Sequence, residues 1–88
     1  LERTLELVND AISALESELG GENPPAPQQQ LVKMRDELRE IYIQIQKKEL
    51  PEKNSRYSGL ARVIVDEWPL NSKTGEKILR AIAAYKNL

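Results

Sequence analysis

The residues of this 88-residue chain best suited to chemistry are three neighbouring carboxylates, Asp36, Glu37 and Glu40. Glu37 and Glu40 stand one helical turn apart. At that spacing one carboxylic acid could give a proton while an ionised neighbour takes one. Lys33, Arg35 and Arg39 are interleaved with them, and a mixed run of that kind more simply makes a solvated helix face. The usual partners of such acids are missing, because the chain has no His and no Cys. Ser-His-Asp and Cys-His arrangements are therefore excluded. So are thiolate metal sites and disulfides, and the Glu-x-x-His pairs by which helical bundles hold two metal ions. Gly20-Gly21 is not followed by the Lys-Ser/Thr of a phosphate-binding loop. The chain reads as non-enzymatic, with no catalytic residue, metal site or cofactor, and as working by contact.

The elements that must present those contacts follow from apolar spacing. Leu1, Leu5, Val8, Ile12, Leu15 and Leu19 recur at steps of three and four, as do Leu31, Met34, Leu38, Ile41 and Ile45. Each set falls on one stripe of an α-helix. Gly20 to Pro27 separates them with three prolines, so this segment is an exposed connector. Gly20 and Gly21 are expected to close helix 1 through the left-handed region, and Pro27 suits the first turn of helix 2. Helix 2 is expected from Gln28 to about Lys48, with a second apolar line at Val32, Ile43 and Leu50. These three lie within about 20° of one another at about 100° per residue. Two apolar sides would make helix 2 the central element, touching helix 1 on one face and the C-terminal helices on the other.

Leu50-Pro51 breaks the chain, and Glu52 to Arg56 reads as polar loop. Helix 3 is expected from Tyr57 or Ser58 to Glu67 or Trp68, with Tyr57, Leu60, Ala61, Ile64, Val65 and Trp68 apolar. Pro69 stops it. Asn71 or Ser72 can cap helix 4, which runs from Lys73 to Tyr85 or beyond with Ile78, Leu79, Ile82 and Tyr85 inward. Gly75 in its first turn lowers helix propensity by up to about 1 kcal/mol and marks a close helix–helix approach. The expected fold is all-α, an antiparallel up-down four-helix bundle. It is a long helical hairpin plus two shorter C-terminal helices in one domain over residues 1–88.

Charge is unevenly spread. Residues 1–46 hold nine acids against four basic residues, while residues 47–88 hold nine basic residues against five acids. The two ends either attract each other within the fold or offer the C-terminal half to an anionic partner. For such a partner Arg56, Arg62, Lys73, Lys77 and Arg80 are the candidate contacts, with Tyr42 and Ile43 for an apolar one. Trp68 either plugs the end of the bundle or serves as an exposed binding anchor. Two other readings compete. Helix 3, the turn at Pro69 to Asn71 and helix 4 (residues 57–86) could form a helix-turn-helix that presents Lys73, Thr74, Lys77 and Arg80 to DNA, although Asp66, Glu67 and Glu76 stand beside them. Alternatively the seam of helix 1 could pair with a second copy, giving a homodimer or a self-assembling helical protein.

From Leu31 through Tyr85 the order of features resembles the bacteriocin immunity proteins of the pediocin-like, enterocin A immunity type. The resemblance rests on Leu31, Leu38, Ile41, Tyr42 and Ile45 in helix 2, its Lys47-Lys48 end, the loop through Leu50-Pro51 and the two shorter helices. It implies a cytosolic four-helix bundle that protects its producer from a peptide toxin by engaging a membrane receptor complex. That family carries a tail after helix 4, whereas this chain ends at Leu88. No stretch approaches the roughly 18 apolar residues of a membrane span and no secretory pattern opens the chain, so a cytoplasmic location is expected. The chain opens on Leu1 and not on Met, which suits a processed or trimmed end.

Overall fold

The apolar spacing folds as helix throughout. A computed structural model describes residues 1–55 and 59–88, except for the side chain of Asn54. It contains α1 (Glu2–Leu19), α2 (Gln28–Lys47), a 3-10 turn (Lys53–Ser55), α3 (Leu60–Glu67) and α4 (Lys73–Lys86). No strand occurs among the described residues. The Cα radius of gyration is 12.4 Å, close to the about 12 Å of a compact chain this long. Tyr57 and Ser58, expected to open helix 3, lie outside the described residues. The 3-10 turn falls where polar loop is expected. Among the described residues no helix is long and apolar enough to cross a membrane.

The central helix is α1, which corrects the expectation that helix 2 is. Close backbone packing joins α1 to both α2 and α4, and joins α3 to α4. The reason lies in how far each apolar face wraps. In α1 the buried Thr4, Val8, Ala11, Ile12 and Leu15 are flanked by the partly buried Leu5, Leu7 and Leu19. Together these cover roughly 160° of arc at about 100° per residue, enough for two neighbours. In α2 the buried Leu31, Met34, Leu38, Ile41 and Ile45 with the partly buried Tyr42 cover an arc of about 100°. Its supposed second line is not a continuous packing face: Leu50, beyond the helix end, packs against the core, but Val32 is only half-buried and Ile43 is 42% exposed.

Polar side chains link α2 to the C-terminal helices. Trp68 is buried at the end of α3, and its indole Nε1 donates to Gln30 Oε1 at 3.3 Å. Tyr85 of α4 donates its hydroxyl to Gln44 Oε1 at 2.9 Å. Each ring lies in the core with its polar atom satisfied, as burial of Trp and Tyr demands. Trp68 is thus a core plug and not an exposed anchor.

Helix ends follow local chemistry, with one exchange of roles. Gly20 keeps φ at −92°, because α1 closes by Gly20 N–H donating to Ser17 O and Gly21 N–H to Glu18 O. The left-handed residue is Lys48, at φ 57° and ψ 34°. Its N–H donates to Ile45 O and that of Glu49 to Gln44 O, the bond pair of a Schellman closure. Pro27 stands at the N-cap of α2. Ser72 caps α4, its hydroxyl accepting from Gly75 N–H at 3.1 Å. Gly75 is buried, and a Cβ there would lie 3.0 Å from Ile64 Cγ2 and 3.4 Å from Trp68 Cε3. The absence of a side chain is what seats α4 against α3.

Two substitutions test these termini. Gly75→Val is expected to cost about 1–3 kcal/mol, the range for overpacking, measured by urea unfolding. Lys48→Gly removes a left-handed L-residue that costs about 1–2 kcal/mol, offset by glycine's greater unfolded-state entropy. A net gain of about 0.5–1 kcal/mol is expected in the same assay.

Candidate interaction surface

The carboxylates that opened the sequence argument are solvated. Asp36 pairs with Arg35 at 3.3 Å. Glu37 and Glu40 are exposed at the edge of a shallow groove beside Gln44 and Tyr85. Among the described residues no buried side-chain polar atom lacks a partner, and no group of three or more Asp or Glu is arranged to hold a metal ion.

The basic candidates divide by helix. Lys73, Lys77 and Arg80 recur at four and three along α4, and all three are exposed, so the fold brings them onto one stripe. Arg62 stands apart on α3, with its guanidinium 3.6 Å from Asp66. Arg80 is bonded to Glu76 one turn earlier. Arg56 lies outside the described residues. Thr74, offered for DNA contact beside those bases, is only 7% exposed. It faces inward because it falls about 100° round the helix from Lys73, toward the buried Ile78.

Tyr42 and Ile43 come together between α1 and α2. The half-buried Tyr42 and exposed Ile43 line a groove with Asn9 and Ile12, beside an ion pair of Arg39 with Glu16 at 2.9 Å. The seam of α1 is consumed inside the chain: Val8, Ala11 and Leu15 have no exposed surface and Ile12 very little. Of the other seam residues, Leu5 and Leu19 are half-buried and Leu1 is exposed.

One apolar feature escaped the sequence argument. Leu70 is 100% exposed and Val65 is 61% exposed. With Ile64, Pro69, Gly75 and the half-buried Leu79 they border a cleft of about 240 Å³ between α3 and α4. A signal was present for both. The buried line Leu60, Ile64 and Trp68 steps by four, which leaves Val65 about 100° away. Leu70 is an aliphatic residue inside a Pro-x-Asn-Ser turn, where solvation is the rule.

No protein-family model matches the chain, and no curated protein matches it. The two C-terminal aliphatic-aromatic neighbours then make a direct test of surface against core. Trp68→Ala is expected to cost about 3–5 kcal/mol, whereas Leu70→Asp leaves the urea midpoint unchanged.

Proposed function

We propose that this chain is a small, non-enzymatic protein-interaction module that works in the cytoplasm and recognises an acidic face of a protein partner. The observation that carries this reading is the exposed stripe of Lys73, Lys77 and Arg80 on α4. Among the described residues Lys73 and Lys77 have no acidic partner, so both charges are free for recognition, while Arg80 is shared with Glu76. Basic groups on a rigid helix steer an acidic partner and set its register, which raises the association rate more than the final affinity. Tyr42 and Ile43 offer a separate apolar contact between α1 and α2.

The scaffold in this reading is an antiparallel up-down bundle. Its hairpin is supported by two contacts: the Gln28 side-chain amide donates to Leu19 O at 3.4 Å, and Arg39 reaches Glu16. Residues met going back along α1 thus lie beside residues met going forward along α2. The resemblance to pediocin-like immunity proteins makes an immunity or regulatory role the specific form of this proposal. A peptide toxin or its receptor complex is then the first partner to examine. The DNA-binding alternative is less well supported, given the inward Thr74 and the neutralised Arg80.

The partner is to be captured from the native host and its affinity for the purified chain measured by calorimetry. K73E/K77E is expected to weaken binding at least about tenfold, or about 1.4 kcal/mol, and added salt to weaken wild-type binding. Affinity unchanged by the double charge reversal would contradict the proposal. Tight duplex binding with a steep salt dependence would favour the DNA reading.

A further inference from the structure

The connector between α1 and α2 meets the turn before α4 at one end of the bundle, and a cleft of about 300 Å³ lies between them. Glu18, Pro24, Pro25, Pro69, Lys73 and Thr74 are among the residues that line it. Thr74 is only 7% exposed, yet its hydroxyl makes no hydrogen bond with a described residue. A helical threonine often returns its hydroxyl to the carbonyl four residues back, and Thr74 does not. Among the described residues no sealed side-chain polar atom lacks a partner. The Thr74 hydroxyl is therefore not sealed, and the cleft that Thr74 lines is where it opens. The backbone N–H groups of Lys73 and Thr74 are open too, because Ser72 takes only those of Gly75 and Glu76. Open donors at the first turn of a helix favour a negative group. Lys73, which has no acidic partner among the described residues, adds its charge to that wall.

The α1 side of the cleft has the opposite character. Glu18 is half-buried, and its carboxylate forms no ion pair with Lys73 or any other described residue. A simple anion such as phosphate would meet the like charge of Glu18. A simple amine would leave the donors of α4 unmet. A ligand that carries both charges satisfies both sides. We infer that this cleft binds a small α-amino acid with an apolar side chain. Its carboxylate lies against the N–H groups of Lys73 and Thr74 and accepts from the Thr74 hydroxyl. Its ammonium group donates to Glu18, and its side chain rests on Pro24, Pro25 and Pro69. Hydrogen bonds of this kind, with one partner ionised, are the stronger class. The volume stands at the lower end for small-molecule sites, which matches a ligand of this size. The cleft shares Lys73 with the lysine stripe but does not rest on the proposed function.

NMR titration of the whole chain with L-leucine tests the assignment. The amide signals of Glu18, Lys73, Thr74 and Gly75 are expected to shift and saturate, with Kd in the millimolar range. N-acetyl-L-leucine lacks the ammonium group and L-leucinamide lacks the carboxylate, so each is expected to bind at least about tenfold more weakly. T74V keeps the shape of the side chain but removes the hydroxyl, and is expected to weaken L-leucine about three- to tenfold. T74S keeps the hydroxyl and is expected to bind as wild type does, which separates a ligand contact from a packing role. E18Q is expected to weaken L-leucine and to lose the preference over N-acetyl-L-leucine. Circular dichroism confirms the fold of each variant. No saturable shift with L-leucine, equal binding of either blocked analogue, T74V that binds as wild type, T74S no better than T74V, E18Q that keeps the preference, or inorganic phosphate binding more tightly at the same amides would each overturn the inference.

Discussion

Everything else in this fold depends on α1 being covered by apolar neighbours on two flanks. Val8, Ala11 and Leu15 have no exposed surface, and α1 makes the two most extensive backbone contacts of the fold, with α2 and with α4. Burial of Val8, Ile12 and Leu15 contributes about 1.5–3 kcal/mol each. A chain of this length is stable by only about 4–13 kcal/mol in all. The wide face of α1 therefore decides whether the chain folds, while α2, α3 and α4 are organised around it. The shortest helix, α3, is held from its side by Gly75, which lets Ile64 and Trp68 close on the first turn of α4.

That arrangement consumes the apolar residues that helical spacing identifies and leaves the chemistry on the outside. Among the described residues the carboxylates, lysines and arginines are solvated or paired along the surface, and the two buried aromatic heads, Trp68 and Tyr85, are satisfied by Gln30 and Gln44 of α2. Recognition by contact is the reading that fits such a surface. The two flanks of α4 differ in kind. One carries Lys73 and Lys77, while the other borders the cleft shared with α3.

Much of the architecture was legible from spacing. The four helices begin and end near the expected positions because Pro27, Ser72 and the Leu50-Pro51 and Trp68-Pro69 steps act locally, and Gly75 does mark a close approach. The order of packing was not legible. Val32, Ile43 and Leu50 align on a helical wheel, yet alignment does not say whether a neighbour is there, and none covers Ile43. The small residues Thr4 and Ala11, both buried, carry little weight in any apolar pattern. Conformation at helix ends was equally hidden. Gly20 could take the left-handed form and does not, whereas Lys48 does because two backbone bonds require it. Of the candidate contacts, spacing alone grouped Lys73, Lys77 and Arg80. The exposure of Val65 and Leu70 was signalled by the four-residue step of Leu60, Ile64 and Trp68 and by the turn after Pro69, but the apolar count of helix 3 masked it.

Amide hydrogen exchange under native conditions measures the central claim most directly, because residues released only by global unfolding exchange last. The amides from Val8 to Leu15 are expected to be the slowest in the chain, with protection equal to the unfolding free energy measured by urea, and those of α3 to exchange sooner. Exchange of α1 ahead of α2 and α4 would contradict the account.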